Sequence, residues 1–315
     1  MFSRGDSMRI IFFKADCKNL NSQTIRRNFA PVVGVLVSAL VFISPAQAAG
    51  CDRTCLKSMI STYVEAIVAH DPSRLPLAGN VRYTVDSKES KLGQGLWQTV
   101  TRKGDFRQDY IDVSRQIAAA HVLLFEKELP VLYSLVLHVT NDRIAGIETL
   151  PYRVMPDSRF QPVMLDKPLI AMNDPVPEDR RMSRKEMIRV AMSYPRGLRI
   201  GSFVEGRTPF SEHAYRIENG VYMAGLSHCP RDKCPDILTQ DIIKHPDIQA
   251  SVAAVDEEQG IVLLWMNFGF TNSYGPGKAL VTFEAFKVWG GEIHAVNAFF
   301  GFLPKDTQRG WPSAE

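Results

Sequence analysis

The sequence predicts an α+β protein made of two tandem cone-shaped domains, each a long helix packed on a curved antiparallel sheet. Three observations lead there. An amphipathic helical period opens each half of the chain beyond residue 50. Short runs rich in β-branched and aromatic residues, separated by turn signals, follow each helix. The order long helix, short strand, short helix and β-meander occurs twice, so the repeat is read from element order rather than identity. A helix lying on a curved sheet encloses one apolar pocket.

Taken in order, the chain begins with a processing segment. Arg26 and Arg27 precede an apolar run from Val32 to Ile43, and Ser44-Pro45 leads into Ala46-Gln47-Ala48. Basic flank, apolar run and small-residue exit are the parts of a secretory signal, expected over residues 1–48. The run is shorter than the about 20 residues of a membrane span. An uncleaved anchor is the alternative reading. Arg26-Arg27-Asn28-Phe29 resembles a twin-arginine signal, with Ile25 where Ser or Thr is usual and Ala30-Pro31 in place of Leu-Lys. Both export routes, and both Met1 and Met8 as starts, stay open.

The first domain is expected over residues 49–155. Leu56, Ile60, Tyr63 and Ile67 are spaced as one helix face, widened by Met59, Val64 and Val68, and Asp71-Pro72 ends it. Strands are expected at 81–85, 106–113, 116–125, 131–140 and 143–150, with Gly93-Gln94-Gly95-Leu96-Trp97 turning into a short helix. Residues 156–182 hold five prolines and no sustained period, which reads as a linker. The second domain is expected over 183–315. Ser183-Arg-Lys-Glu186 is a capping box, and Met187, Val190, Ala191, Tyr194 and Leu198 give its helix an apolar face. A strand at 209–217, a turn at Glu218-Asn219-Gly220, a short helix near 237–243 and strands at 248–255, 261–270, 279–289 and 292–302 complete the reading.

Residues 1–48 carry six of the 37 Lys/Arg and two of the 34 Asp/Glu, which leaves 31 basic and 32 acidic side chains. The apparent basicity therefore belongs to the leader, and charge supports neither nucleic-acid binding nor an anionic membrane surface. With Cys17 in the leader, four cysteines remain, as Cys51 with Cys55 and Cys229 with Cys234. In an exported chain an even count reads as disulfides. A metal site on Cys229, Cys234 and His228 is the sharper alternative, with no second His or Cys at metal spacing. No G-x-S-x-G, H-E-x-x-H or Walker motif is present, which argues against the corresponding hydrolases, zinc proteases and nucleotide enzymes.

The element order, with Ala69-His70-Asp71-Pro72 closing the first helix, resembles the SnoaL-like, ketosteroid-isomerase-like cone fold. Cys51-x3-Cys55-Leu56, Leu92-Gly93-x-Gly95-Leu96-Trp97 and Arg143-Ile144-x-x-Ile147-Glu148 resemble an uncharacterised family of secreted fungal and bacterial proteins. So do Tyr215-Arg216-x-Glu218-Asn219-Gly220 and Val255-Asp256-Glu257-Glu258-x-Gly260-Ile261-Val262. The resemblance implies a cofactor-free pocket in which a carboxylate or His moves a proton and a donor holds an oxyanion. The wider fold hosts lyases, isomerases and plain binding modules, so it licenses no one reaction.

Polar groups among apolar strand residues are then the candidates. His213, Arg216 and His294 are expected to be catalytic if they converge. Tyr222, Trp265, Asp256, His121 and His138 are the expected substrate-binding residues, with Asp256 also a turn-former or a partner for Arg216. Trp97 reads as a lid or plug, and His70-Asp71 as a helix terminator. The expected function is an exported, cofactor-independent lyase or isomerase acting by dehydration, retro-aldol cleavage or proton transfer. Its substrate would be a small apolar or aromatic oxygenated molecule. The alternative is a non-catalytic periplasmic ligand-binding or scaffold protein. The expected partner is a small molecule, with no nucleic acid, no stable membrane insertion after signal cleavage, and a homodimer as the expected assembly if the chain associates.

Overall fold

A computed structural model describes residues 50–315 apart from 167, 168, 228, 231 and 232. The expected leader and cleavage site, and His228, lie outside the described residues.

Asp52 caps α1 (Arg53–Val68) by accepting from the Cys55 N–H, and the helix buries Leu56, Ile60, Tyr63 and Ile67. There follow β1 (Leu77–Val85), β2 (Lys88–Glu89), α2 (Leu96–Thr99), β3 (Arg102–Asp112), β4 (Ile117–Glu126), β5 (Leu129–Thr140) and β6 (Arg143–Arg153). The Ser183–Glu186 capping box starts α3 (Arg184–Ala191), which continues after a break at Met192 as α4 (Ser193–Ile200). The remaining strands are β7 (Phe210–Glu218), β8 (Val221–Ala224), β9 (Gln249–Asp256), β10 (Ile261–Asn267), β11 (Lys278–Trp289) and β12 (Glu292–Pro304). Residues 237–239 form a turn and 240–243 an irregular stretch rather than the expected helix. Asp236 caps one turn there, accepting from the N–H groups of Leu238 and Thr239, and its carbonyl takes the Gln240 N–H before the chain leaves the helical path.

Two six-stranded sheets result, in the orders β2-β1-β6-β5-β4-β3 and β8-β7-β12-β11-β10-β9. They are mixed rather than antiparallel, because β1 runs parallel to β6 and β7 parallel to β12. A crossover through the whole meander returns the chain beside its first strand, which hydropathy alone does not reveal.

The two sheets share register as well as order. Leu135 stands opposite Thr149 on β5–β6, and Glu284 opposite Ala298 on β11–β12. The irregularity at His138/Val139 recurs at Lys287/Val288. On this register Tyr83 corresponds to Arg216, Val85 to Glu218 and Asp112 to Asp256.

The last pair joins the halves reciprocally. Asp112 accepts from the Val255 N–H at 2.8 Å and from Arg184 at 2.7 Å. Asp256 accepts from the Ile111 N–H at 2.9 Å and from Arg53 at 2.8 and 2.9 Å. Each carboxylate is fully buried, and each arginine is the first residue of the other half's helix. Such an exchange of equivalent contacts is the arrangement of a two-fold interface. Phe106 and Phe299 meet across the sheets at 6.0 Å, so the faces away from the helices form a common core. The C-terminal segment returns over the first sheet, where Arg309 holds Glu148 through two bonds of 2.9 Å and Trp311 stacks on His138 at 4.5 Å.

Candidate functional site

The helix-facing side of the second sheet carries charge. Glu284, Ala298 and Glu218 lie in one cross-strand row, with neighbouring strands ~4.8 Å apart. Ala298 is the small residue between the two carboxylates. Two residues along β7, on the same face, Arg216 pairs with Glu218 at 2.8 Å. Its guanidinium also donates to the Tyr194 hydroxyl at 3.2 Å and to Gln240 Oε1 at 3.0 Å. Tyr194 reaches this place because α4 packs it against Phe203, Phe210 and Phe286. Tyr274, whose phenol feels the charges of both Glu218 and Glu284, contacts His245 through its hydroxyl at 3.3 Å.

Burial sets the electrostatics. It raises the pKa of Glu284 to about 8, and the nearby Glu218 charge adds to the rise while Arg216 opposes it. Burial also pushes the Tyr194 phenol far above its usual range. Burial works against the charge on Arg216, yet Tyr194, Glu218 and Glu284 together raise its pKa. At neutral pH the group is a protonated carboxylic acid beside a paired guanidinium and a neutral phenol. Such an acid both gives and, as pH approaches 8, takes a proton.

His213, Arg216 and His294 do not come together. His213 lies in the irregular stretch of β7 between Phe210 and Tyr215 and is exposed, whereas Arg216 is buried. His213 is exposed and bonded to Ser227 Oγ at 2.8 Å. His294 stacks on Trp289 at 3.8 Å and bonds the Trp289 carbonyl, a contact within one hairpin. Asp256 pairs with Arg53 in the clasp between the halves, not with Arg216 or a pocket. His121 is sealed between the sheets, bonded to Tyr110 at 3.0 Å and stacked on Phe299. Burial lowers its pKa to about 3. His138 lies under Trp311, 3.7 Å from Glu148. Tyr222 is buried against Tyr215 and donates to the Gly225 carbonyl, and Trp265 is buried on β10. Trp97 fills the first half's interior, edge-on to Tyr63 at 5.3 Å, as a plug does. Both cysteine pairs are disulfides, so the sulfurs of Cys229 and Cys234 are not available as thiolate ligands.

Of the charged group, sequence reasoning found only Arg216. Glu284 had a signal: it is a lone carboxylate inside the apolar run Ala279–Trp289. Glu218 was concealed by the Asn219-Gly220 turn signal beside it. Tyr194 read as helix core, and Gln240 and Tyr274 sit on loops whose path only the fold defines. An open depression of 460 Å³ beside Arg53, Lys57 and Arg107 lies elsewhere, on the outer surface next to α1. Its arginines are already paired, with Asp256 and Asp109.

A family model described as a domain of unknown function, DUF8021, matches residues 180–300. No curated protein matches the chain. Among solved structures, a de novo designed protein with a curved β-sheet is similar at 16% identity and a TM-score of 0.28, over 34% of this chain and 89% of its own. A ketosteroid isomerase-like protein from Kribbella flavida DSM 17836 is similar at 12% identity and a TM-score of 0.25, over 40% of this chain and 93% of its own.

Proposed function

We propose that the second half is a cofactor-independent proton-transfer site, a lyase or isomerase acting on a small oxygenated molecule. The observation that carries this is Glu284, a buried carboxyl with a pKa near 8 beside Arg216 and Tyr194. In this reading Glu284 removes a proton from the carbon next to a carbonyl. The enolate oxygen that forms accepts hydrogen bonds from Arg216 and Tyr194. Return of that proton from Glu284 to another carbon isomerises the molecule; its delivery to a β-hydroxyl, which leaves as water while the enolate's electrons form the C=C bond, dehydrates it. Glu218 balances the Arg216 charge. We also infer that the chain comprises two repeated units, 49–155 and 183–315, joined by 156–182 and exported. The two disulfides fit an oxidising compartment.

The test is hydrogen–deuterium exchange at the α-carbon of a panel of cyclic and aromatic ketones, followed by proton NMR. Wild-type protein should exchange one or more above buffer, and Glu284→Gln should lose ~10²–10⁴-fold. Exchange at the buffer rate, or exchange indifferent to Glu284→Gln, rejects the reading. The near-complete burial of Arg216, Glu284 and Tyr194 favours a second one, a non-catalytic binding protein. Ketone binding without exchange would select it.

A further inference from the structure

The same charged row is covered by a piece of the chain that belongs to neither sheet. After β6 the backbone turns over the helix-facing side of the second sheet and inserts Phe160, which is 4% exposed. The Phe160 ring packs on Ala298 and meets Phe300 edge-on at 5.1 Å. Ala298 is the residue between Glu284 and Glu218, so the ring sits within about one strand spacing of both carboxyl-bearing positions. Phe302 and Tyr274, tilted together at 5.8 Å, continue the aromatic wall.

The segment that carries Phe160 holds its own shape. The Gln161 amide donates to the carbonyls of Met155, Pro156 and Ser158, and the Ser158 N–H to Met155. The Phe160 N–H is taken by Ser158 Oγ. The chain is anchored on either side, by the Val154 N–H to Pro130 and the Met164 N–H to Gly220. A turn bonded internally between two anchors moves as a unit without giving up its own hydrogen bonds.

We propose that Phe160 fills the place of a substrate ring. On this proposal the second sheet binds an uncharged aromatic molecule bearing a carbonyl or hydroxyl oxygen, and the 155–161 turn swings out to admit it. The ring preference follows from Ala298, Phe300 and Phe302, which offer a flat apolar bed to Phe160 itself. The preference for an uncharged molecule follows from the ion pair of Arg216 with Glu218, which already occupies the row's guanidinium with a carboxylate. The chemical role of the guest's oxygen rests on the proton-transfer reading above, whereas the ring site does not.

The experiment is calorimetric titration of para-hydroxyacetophenone, with para-hydroxybenzoate as the anionic comparator, into wild type, Phe160→Ala and Phe160→Trp. Removing the competing ring should tighten ketone binding about 10- to 100-fold, the worth of burying one aromatic side chain. The larger Trp should weaken it below wild type, so the proposal stays testable if Phe160→Ala fails to fold. Equal ketone affinity in all folded proteins, or tighter binding of para-hydroxybenzoate than of the ketone, overturns the proposal. Tighter binding by Phe160→Ala without isotope exchange would reject proton transfer and keep the ring site. Exchange in wild type that neither Phe160 variant alters would reject the ring site alone.

Discussion

The interiors of the two halves are built on one register and filled with opposite chemistry. Tyr63 of α1 and Tyr194 of α4 both point inward from their helices, and around them the matched strand positions diverge. Where the first half has Tyr83, Val85, Leu135 and Thr149, the second has Arg216, Glu218, Glu284 and Ala298. In the first, Tyr63 and Tyr133 share a 2.7 Å hydroxyl contact, and burial raises the pKa of Tyr63, Tyr83 and Tyr133. That interior stays neutral and is closed by Trp97. In the second, a carboxyl is poised near neutral pH. The comparison teaches that the scaffold does not require charge at these positions. A buried charged group that packing does not need is a functional candidate, with the structural ion pair as its bland rival.

The largest expected effects test how far the halves are equivalent. Asp112→Ala and Asp256→Ala should each cost about 3–5 kcal/mol in chemical denaturation, because each leaves a partly buried arginine and a backbone N–H without their acceptor. Equal losses would bear out the reciprocal clasp, and a loss confined to one would break it.

Exchanging the interiors comes next. Leu135→Glu puts a carboxyl into the first half with no guanidinium to meet it, and should destabilise by roughly 3 kcal/mol. Glu284→Leu should be nearly neutral, since Arg216 keeps Glu218. A destabilising Glu284→Leu of equal size would make Glu284 structural and weaken the functional reading.

A pH series sharpens the contrast at smaller amplitude. The folded-state pKa of Glu284 is raised, so the folded protein holds a proton that the unfolded chain releases above about 4.5. The contribution of Glu284 to stability should therefore fall as pH rises from about 4.5 to 8, by at most ~1.4 kcal/mol per pH unit, and it is read as the difference between wild type and Glu284→Gln. His121 and His245 have the opposite sign. Burial lowers their pKa values to about 3 and about 4, so stability is lost as pH falls below about 6.5. Activity dependent on deprotonated Glu284 should rise with pH up to about 8. A stability difference between wild type and Glu284→Gln that does not change with pH would show that Glu284 is not perturbed.

The smallest effect belongs to the Cys229–Cys234 loop. Reduction or a double Ser substitution should cost less than the ~3 kcal/mol that chain entropy assigns to a 15-residue loop, because its two cysteines are five positions apart.

The amino-acid sequence was enough for the fold class, for α1, for the apolar face that α3 and α4 share across their break, for eight of the longer strands within a few residues and for both disulfides. Each is set by a local rule: a 3–4 apolar period, a run of β-branched residues, a capping box, a short cysteine spacing. It missed β2 and β8, two and four residues long, because so short a run carries no period. Tertiary structure alone decided the parallel pairings of β1 with β6 and β7 with β12, which join segments tens of residues apart. It also decided the meaning of single polar residues. Asp256 became a clasp, His121 a sealed contact, and Glu284 the titrating group, because the burial and neighbours that move a pKa come from distant parts of the chain. His213 and Arg216 were separated by the irregularity of β7 between Phe210 and Tyr215, which only the pairing with β12 reveals. Phe160 could be placed over Ala298 only by the fold, since nothing local to a proline-rich connection says which surface it will cover.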